Sequence, residues 1–192
     1  MPTAAVLRDR LALATCLERV RTDPADIWVY GYDNSRKHAP PDAVVFATSH
    51  REVQDVVRAC FEAGVPIVAR GRGTATTGAA IPVRGGVVLA LERMNRILKV
   101  DPANRVLVVE PGVTNQAVQD AAREHGFFWP PDPTSAGYCT VGGNLAVNAA
   151  GPHAVKYGST RENTLGLRAV TGDGTDIHTG VYTTKGVVGY DL

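Results

Sequence analysis

Ala69-Arg70-Gly71-Arg72-Gly73-Thr74-Ala75-Thr76-Thr77-Gly78-Ala79 is the stretch on which the reading of this chain turns. It follows an apolar run at 65–69 whose length and composition predict a strand. Glycine reaches positive φ without a Cβ clash and lets backbone N–H groups converge on an anion. Thr74, Thr76 and Thr77 add hydroxyl donors, and Arg70 and Arg72 add positive charge. A pyrophosphate clamp needs these properties, although a ligand-free turn can share them. Two phosphate motifs do not fit. A Walker A loop needs Lys-Ser/Thr after its second glycine, and Ala79-Ala80 follow Gly78. A Rossmann fingerprint needs a third glycine where Thr76 sits. Glu92 does mimic the ribose-binding acid at the end of the run 87–91. Yet only residues 74–86 separate loop and strand, with Pro82 and Gly85-Gly86 inside, and a crossover helix of about ten residues does not fit there.

Working outward, residues 43–47 predict a short strand. Ser49-His50-Arg51-Glu52 predicts a capping box. Val53, Val56, Val57, Cys60 and Phe61 follow at helical spacing and predict one apolar face, with Gly64 as stop and Pro66 preventing return. This strand–helix–strand unit favours parallel pairing. Residues 86–91, 96–100 and 105–110 are three further β-like runs, the last two joined by a turn at Asp101-Pro102-Ala103-Asn104. Residues 114–125 predict a helix capped by Thr114, burying Ala117, Val118, Ala121 and Ala122 and stopped by Gly126. Residues 127–158 are loop-like. Runs at 165–171 and 175–178 flank Gly172-Asp173-Gly174, a hairpin signal, and residues 181–192 begin another element. At the start, Leu13, Cys16, Leu17 and Val20 predict the apolar face of an amphipathic helix, and the polar, turn-rich residues 21–41 a linking arm. The class is α+β with mixed strand order.

The chain has 192 residues, 20 Lys+Arg and 19 Asp+Glu, a net charge of +1. That balance argues against a polyanion as main partner, so no nucleic acid is expected. Arg8, Arg10, Glu18 and Arg19 interrupt the N-terminal apolar residues, which excludes a signal peptide or a transmembrane segment there. Cys16, Cys60 and Cys139 are odd in number and widely spaced, and the five histidines lack ligand spacing. Free thiols in a reducing cytoplasm and no metal site are the expectation.

A second small-residue segment changes the weight of the first. Pro130-Pro131-Asp132-Pro133-Thr134-Ser135 leads to Thr140-Val141-Gly142-Gly143-Asn144-Leu145-Ala146-Val147-Asn148-Ala149-Ala150-Gly151. Small residues at nearly every step let a flat ligand lie against backbone. Asn144 and Asn148, four apart, share one side if this is a short helix. Taken in order, the runs 71–80, 86–95 with Leu91-Glu92-Arg93-Met94-Asn95, and Glu110-Pro111-Gly112-Val113-Thr114-Asn115 resemble a known family. Pro130–Thr134, Thr140–Gly151, His153–Gly158 and Tyr190-Asp191-Leu192 extend the match. The family is that of FAD-linked oxidases with the vanillyl-alcohol-oxidase-type (PCMH-type) flavin domain, in its glycolate oxidase and D-lactate dehydrogenase branch.

The resemblance implies a PCMH-type FAD-binding domain at 40–192, after an N-terminal helix and arm at 1–39. It implies two α/β subdomains with mixed sheets and FAD between them. Carried over, Gly71, Arg72, Gly73, Thr74, Ala75, Thr77 and Gly78 hold the pyrophosphate. Pro131, Thr140, Gly142, Gly143, Asn144, Asn148, Gly151, Tyr157 and Gly158 line the flavin. Ala75 and Ala79 stand where the family usually has glycine. A need for φ > 0 at either would cost on the order of 1 kcal/mol. No His or Cys occupies the positions where some relatives tether flavin, so FAD is expected to bind non-covalently. The implied reaction is hydride removal from a small 2-hydroxy acid, with no catalytic residue assigned here beyond the local groups His153, Lys156 and Tyr157. In the family a Gly-Ser-Glu-Gly-containing stretch and a substrate domain follow Tyr-Asp-Leu. The expectation is thus a flavin domain truncated at its C-terminal end. It would be a non-catalytic piece or a flavin-binding subunit completed by a separate chain.

Overall fold

Two sheet faces, each needing cover, organise the first half of the chain. The computed structural model describes residue 9 and residues 11–182. In chain order the first elements are β1 (Val20–Arg21), α1 (Pro24–Ile27), a 3-10 turn (Trp28–Gly31), β2 (Ala43–Phe46), α2 (His50–Glu62), β3 (Ile67–Arg70) and β4 (Val87–Ala90). The sheet order is β1-β2-β4-β3, with β2 and β3 each parallel to β4 and β1 antiparallel to β2. The expected strand–helix–strand unit is present, and β4 is inserted between its two strands.

Side chains alternate across β2 and β4, so the sheet has two apolar faces. Ala43, Val45, Val87 and Leu89 pack with Val56, Val57 and Cys60 of α2. Val44, Phe46, Val88 and Ala90 pack on the other face with Ile27 and Tyr30. Each fully buried valine contributes roughly 1.5–3 kcal/mol relative to an exposed one. Parallel strands need cover on both faces. The second cover comes from residues 24–31, so the segment expected to be a linking arm is folded onto the sheet. Asp23 caps α1 by accepting from Ala25 N at 2.9 Å, with Pro24 at the first helical position.

Three expectations are corrected here. Residues 11–14 are helical, but the chain then turns, and Val20 enters β1 opposite Val45. Leu11 and Val20 are buried while Leu13 is 91% exposed, because the sheet edge claims Val20 and breaks the helical register. Residues 1–8 and 10 of that predicted helix lie outside the described residues. Phe61, assigned to the buried face of α2, is 62% exposed, since that face ends at Cys60. The capping box is also displaced. Ser49 Oγ accepts from Glu52 N at 3.3 Å, but the Glu52 carboxylate reaches Thr48 N at 2.8 Å and Arg19 rather than Ser49 N.

The described residues up to Met94, with Val170–Thr175, form one compact unit, and Asn95–Ala169 with the described residues from Asp176 form another. In the second, β5 (Ile97–Asp101) and β6 (Val106–Val109) make an antiparallel hairpin. Glu110, 6% exposed, accepts from Arg96 N at 2.9 Å and from its guanidinium at 2.7 and 3.2 Å. Those Arg96 bonds hold its carboxyl below the usual range against the effect of burial. Next come α3 (Asn115–Arg123), α4 (Val141–Ala146), α5 (Ala154–Tyr157), and β7 (Gly166–Val170) paired with β8 (Asp176–Gly180) as the expected hairpin. Thr114 Oγ1 caps α3 through Ala117 N at 3.1 Å. Val118 and Ala122 are buried, and Ala117 and Ala121 partly so. The Tyr190-Asp191-Leu192 run and most of the element expected at 181–192 lie outside the described residues.

Candidate functional site

The glycine loop leaves β3 and runs from Gly71 to Ala80 without regular structure. Backbone N–H groups of residues 71–77 donate to no acceptor among the described residues. A run of uncommitted amides beside the exposed Arg72 is what a polyanion requires. Positive φ is reserved for Gly73 (65°) and Gly78 (80°), while Ala75 and Ala79 have ordinary backbone. The alanines in the family's glycine positions therefore carry no left-handed strain. A Cβ on Gly73 would lie 2.2 Å from Arg70 Nη2.

Arg70 does not add its charge to the loop surface, contrary to the sequence expectation. It is 7% exposed and donates to Tyr32 O at 2.7 Å and Val29 O at 3.4 Å, with its guanidinium 5.6 Å from the Tyr30 ring centre. Planar donors suit the carbonyls left open at the end of the 3-10 turn. Burial pulls its pKa down, opposed by Tyr30, Asp33 and Glu92. Tyr30 OH donates to Glu92 Oε1 at 3.0 Å, and burial together with the Glu92 charge pushes that phenol up to about 12. Glu92, the acid that mimics a ribose ligand in sequence, is thus engaged by Tyr30. These residues, with Val29, Tyr32, Gly71 and Arg72, line a cavity of about 250 Å³.

The segment expected to be an arm also shapes the loop from behind. Asn34 N donates to Ala75 O at 3.0 Å. Asp33, 3% exposed, accepts from Ser35 N at 2.8 Å. Its second oxygen is buried without a closed hydrogen bond. Burial acts to raise the Asp33 carboxyl, but Ser35 and the amides of Gly78 and Ala80 outweigh it and hold the group below its usual range. Sequence reading misses both residues, although Asp33-Asn34-Ser35 is a turn signature.

The second unit gathers most of the predicted flavin-side residues into neighbouring segments. Thr140, 1% exposed, caps α4 by accepting from Gly143 N at 3.3 Å. Gly142 N donates to Pro111 O at 2.9 Å, and a Cβ there would meet Pro111 at 2.7 Å. Asn144, 3% exposed, donates from Nδ2 to Asn115 Oδ1 at 3.0 Å. Asn148 does not share its helix side. The helix ends at Ala146, and Asn148 sits at φ 48°, with Oδ1 accepting from Ser159 Oγ at 2.6 Å and Arg161 N at 3.0 Å. Asn tolerates that left-handed backbone, which turns the chain away from the helix axis. Pro131 is fully buried. Gly151 lies so close to Asp132 that a Cβ would be 2.5 Å from its carbonyl carbon. Asp132 in turn pairs with His153 Nδ1 at 3.1 Å. Tyr157 packs edge-on to Phe128 at 5.0 Å, under Lys156 at 4.7 Å, and Gly158 follows with φ 81°. Among the described residues, no helix is long and apolar enough to cross a membrane.

The fold is α+β with mixed sheets, and its glycine loop offers backbone amides rather than a lysine. A sequence model of the FAD binding domain matches residues 41–180, and the chain belongs to that family. Its cofactor is therefore FAD, and the amide-lined, glycine-shaped loop fits a dinucleotide pyrophosphate. The chain is 41% identical over 165 residues to the glycolate oxidase subunit GlcD of Bacillus subtilis, covering 85% of this chain and 35% of the relative. It is 40% identical over 175 residues to a D-2-hydroxyglutarate dehydrogenase of Xanthomonas citri, covering 91% and 37%. It thus spans about a third of the length of these curated relatives. A solved structure of alkyldihydroxyacetonephosphate synthase shares the fold at TM-score 0.78 and 24% identity, covering 92% of this chain and 38% of that one.

Proposed function

We propose that this chain is the FAD-binding portion of a flavin-dependent oxidoreductase acting on the CH–OH group of 2-hydroxy acids of the glycolate or D-lactate kind. The observation that carries the reading is the run of uncommitted amides at 71–77 on a loop curved by two left-handed glycines. The names of the B. subtilis and X. citri relatives, both concerned with 2-hydroxy acids, support the substrate class. Residues 40–192 are taken as the FAD-binding portion.

In this reading Gly71, Arg72, Gly73, Thr74, Ala75, Thr77 and Gly78 hold the pyrophosphate. Pro131, Thr140, Gly142, Gly143, Asn144, Asn148, Gly151, Tyr157 and Gly158 face the flavin. Bound FAD supplies the hydride acceptor for oxidation of the carbinol carbon. The chain's own contribution is to bind and orient. Arg72 and the loop amides neutralise the phosphates. Pro111 and Asn115 keep the 140–144 segment in place, so that backbone rather than side chain meets the ring. No catalytic residue is assigned, since Asp132 holds His153 and Lys156 lies over Tyr157. Binding is non-covalent, the setting is a reducing cytoplasm that leaves the three cysteines free, and the chain works with a partner subunit. The last point follows the word subunit in the name of the B. subtilis relative.

The test is an FAD titration of the purified chain. Quenching of flavin fluorescence and a raised thermal midpoint are expected, and neither change at saturating FAD overturns the reading. Anaerobic addition of glycolate, D-lactate or D-2-hydroxyglutarate to the FAD-loaded protein, supplemented with its partner chain, then tests the substrate class by bleaching of the visible flavin band. Bound flavin that none of the three bleaches overturns the substrate assignment alone.

A further inference from the structure

In sequence, Asn115 is one letter of a motif and the residue after a helix cap. In the fold it is 2% exposed, and its side-chain amide is a three-way junction. Nδ2 donates to Pro131 O at 2.9 Å. Oδ1 accepts from Trp129 Nε1 at 2.9 Å and from Asn144 Nδ2 at 3.0 Å. Its backbone N–H donates to Cys139 O at 3.0 Å, so the residue is tied to the 129–131 loop, the approach to α4, and α4 itself.

We infer that Asn115 is a positioning residue for the flavin, acting through Pro131 and Asn144 rather than by touching the cofactor. The inference rests on the flavin-binding reading above. Its chemistry is restrictive. The site needs a donor and a double acceptor on one short, planar group. Asp keeps the acceptor, loses the bond to Pro131 O and buries a charge. Leu matches the volume and loses all three bonds. Buried polar groups left without partners cost far more than the bonds themselves contribute. With Leu at 115, Trp129 Nε1, Pro131 O and Asn144 each lose a partner at once, and with Asp Pro131 O loses its donor beside a buried charge. They relax by moving the segment that carries Thr140, Gly142 and Gly143.

The experiment compares N115D, N115L and the control Q116A with the unsubstituted chain. Gln116 is exposed and bonds only Asp120 through its side chain, so Q116A should leave every readout unchanged. The readouts are the FAD dissociation constant and the position and shape of the bound flavin's visible absorption band. Both Asn115 variants are expected to shift the band and to weaken FAD binding by about tenfold or more, N115D through one missing buried hydrogen bond and N115L through three. Folded variants with lower thermal stability but an unshifted band and affinity within about twofold overturn the inference and leave Asn115 purely structural. Should neither Asn115 variant fold, W129F decides. It removes one bond to Asn115 Oδ1, and a shifted band upholds the role while an unshifted band overturns it. Absence of FAD binding by the unsubstituted chain instead overturns the flavin-binding reading and the role with it.

Discussion

The two glycine-rich segments look alike in sequence and are built by opposite means. The loop at 71–78 is shaped by backbone: two left-handed glycines, an arginine passing beneath one of them, and amides with no protein acceptor among the described residues. The segment at 131–151 is shaped by side chains: Asn115, Asn144, Trp129, the Thr140 cap and the Asp132–His153 pair. The first keeps its amides open, which would suit a charged, flexible diphosphate. The second is closed on itself, as a wall for a rigid ring should be. Small residues thus leave backbone amides uncommitted in one case and allow close chain packing in the other.

Three substitutions would break or sharpen that contrast, and a pair of carboxyls adds its pH dependence. Gly151→Ala has the largest expected effect, about 3–4 kcal/mol, because a Cβ collides with Asp132 backbone as well as straining φ; urea unfolding measures it. Gly73→Ala should cost less, about 2 kcal/mol, since the clash is with the movable end of Arg70 and the remainder is left-handed strain. It should also weaken FAD binding, whereas a Gly73→Ala protein with full affinity would show that the loop's curvature is dispensable.

Asp33 and Glu110 give the pH dependence. Both carboxyls are held below their ordinary values of 3.8 and 4.5, by Ser35 with the loop amides and by Arg96 respectively, each against burial. The native state therefore releases protons more readily than the unfolded chain. The stabilisation is complete above those ordinary values and is lost as pH falls through the depressed ones. Asp33→Asn and Glu110→Gln should each flatten the acid limb of the stability–pH curve. Only Asp33→Asn should also alter FAD affinity, and equal flavin effects would contradict the division of labour. The smallest effect belongs to Ala75→Gly. With ordinary φ at that position, glycine only adds freedom to the unfolded chain, a loss of about 0.5–1 kcal/mol. A gain in stability or FAD affinity would mean that the position does want left-handed backbone.

Local signals are the legible part. The caps at Ser49 and Thr114, the stop at Gly64, the runs that form β2 to β6 and the Gly172-Asp173-Gly174 hairpin all depend on neighbours within a few residues. What escapes depends on partners far along the chain. The polar stretch at 21–41 gives no sign that Ile27 and Tyr30 cover Val44 and Val88. Leu13 and Phe61 keep helical spacing but lose their partners because the sheet edge and the end of α2 set the register. Arg70 looks like loop charge because its acceptors, Val29 O and Tyr32 O, lie 41 and 38 residues away. Asn115 and Asn144 are 29 residues apart in sequence, and nothing in either segment alone announces their bond.

The contact between Gly73 and Arg70 has a consequence for how such a chain can change over generations. The missing side chain at 73 is dictated from beneath, by an arginine that holds the 29–32 turn. A lineage that replaces Arg70 with something shorter frees space under the loop and leaves only the left-handed backbone to disfavour a side chain at 73, while one that keeps the arginine must also move its guanidinium. The two positions are expected to drift together or not at all, so a loop that looks like a record of its ligand also preserves the imprint of a turn far from it in sequence.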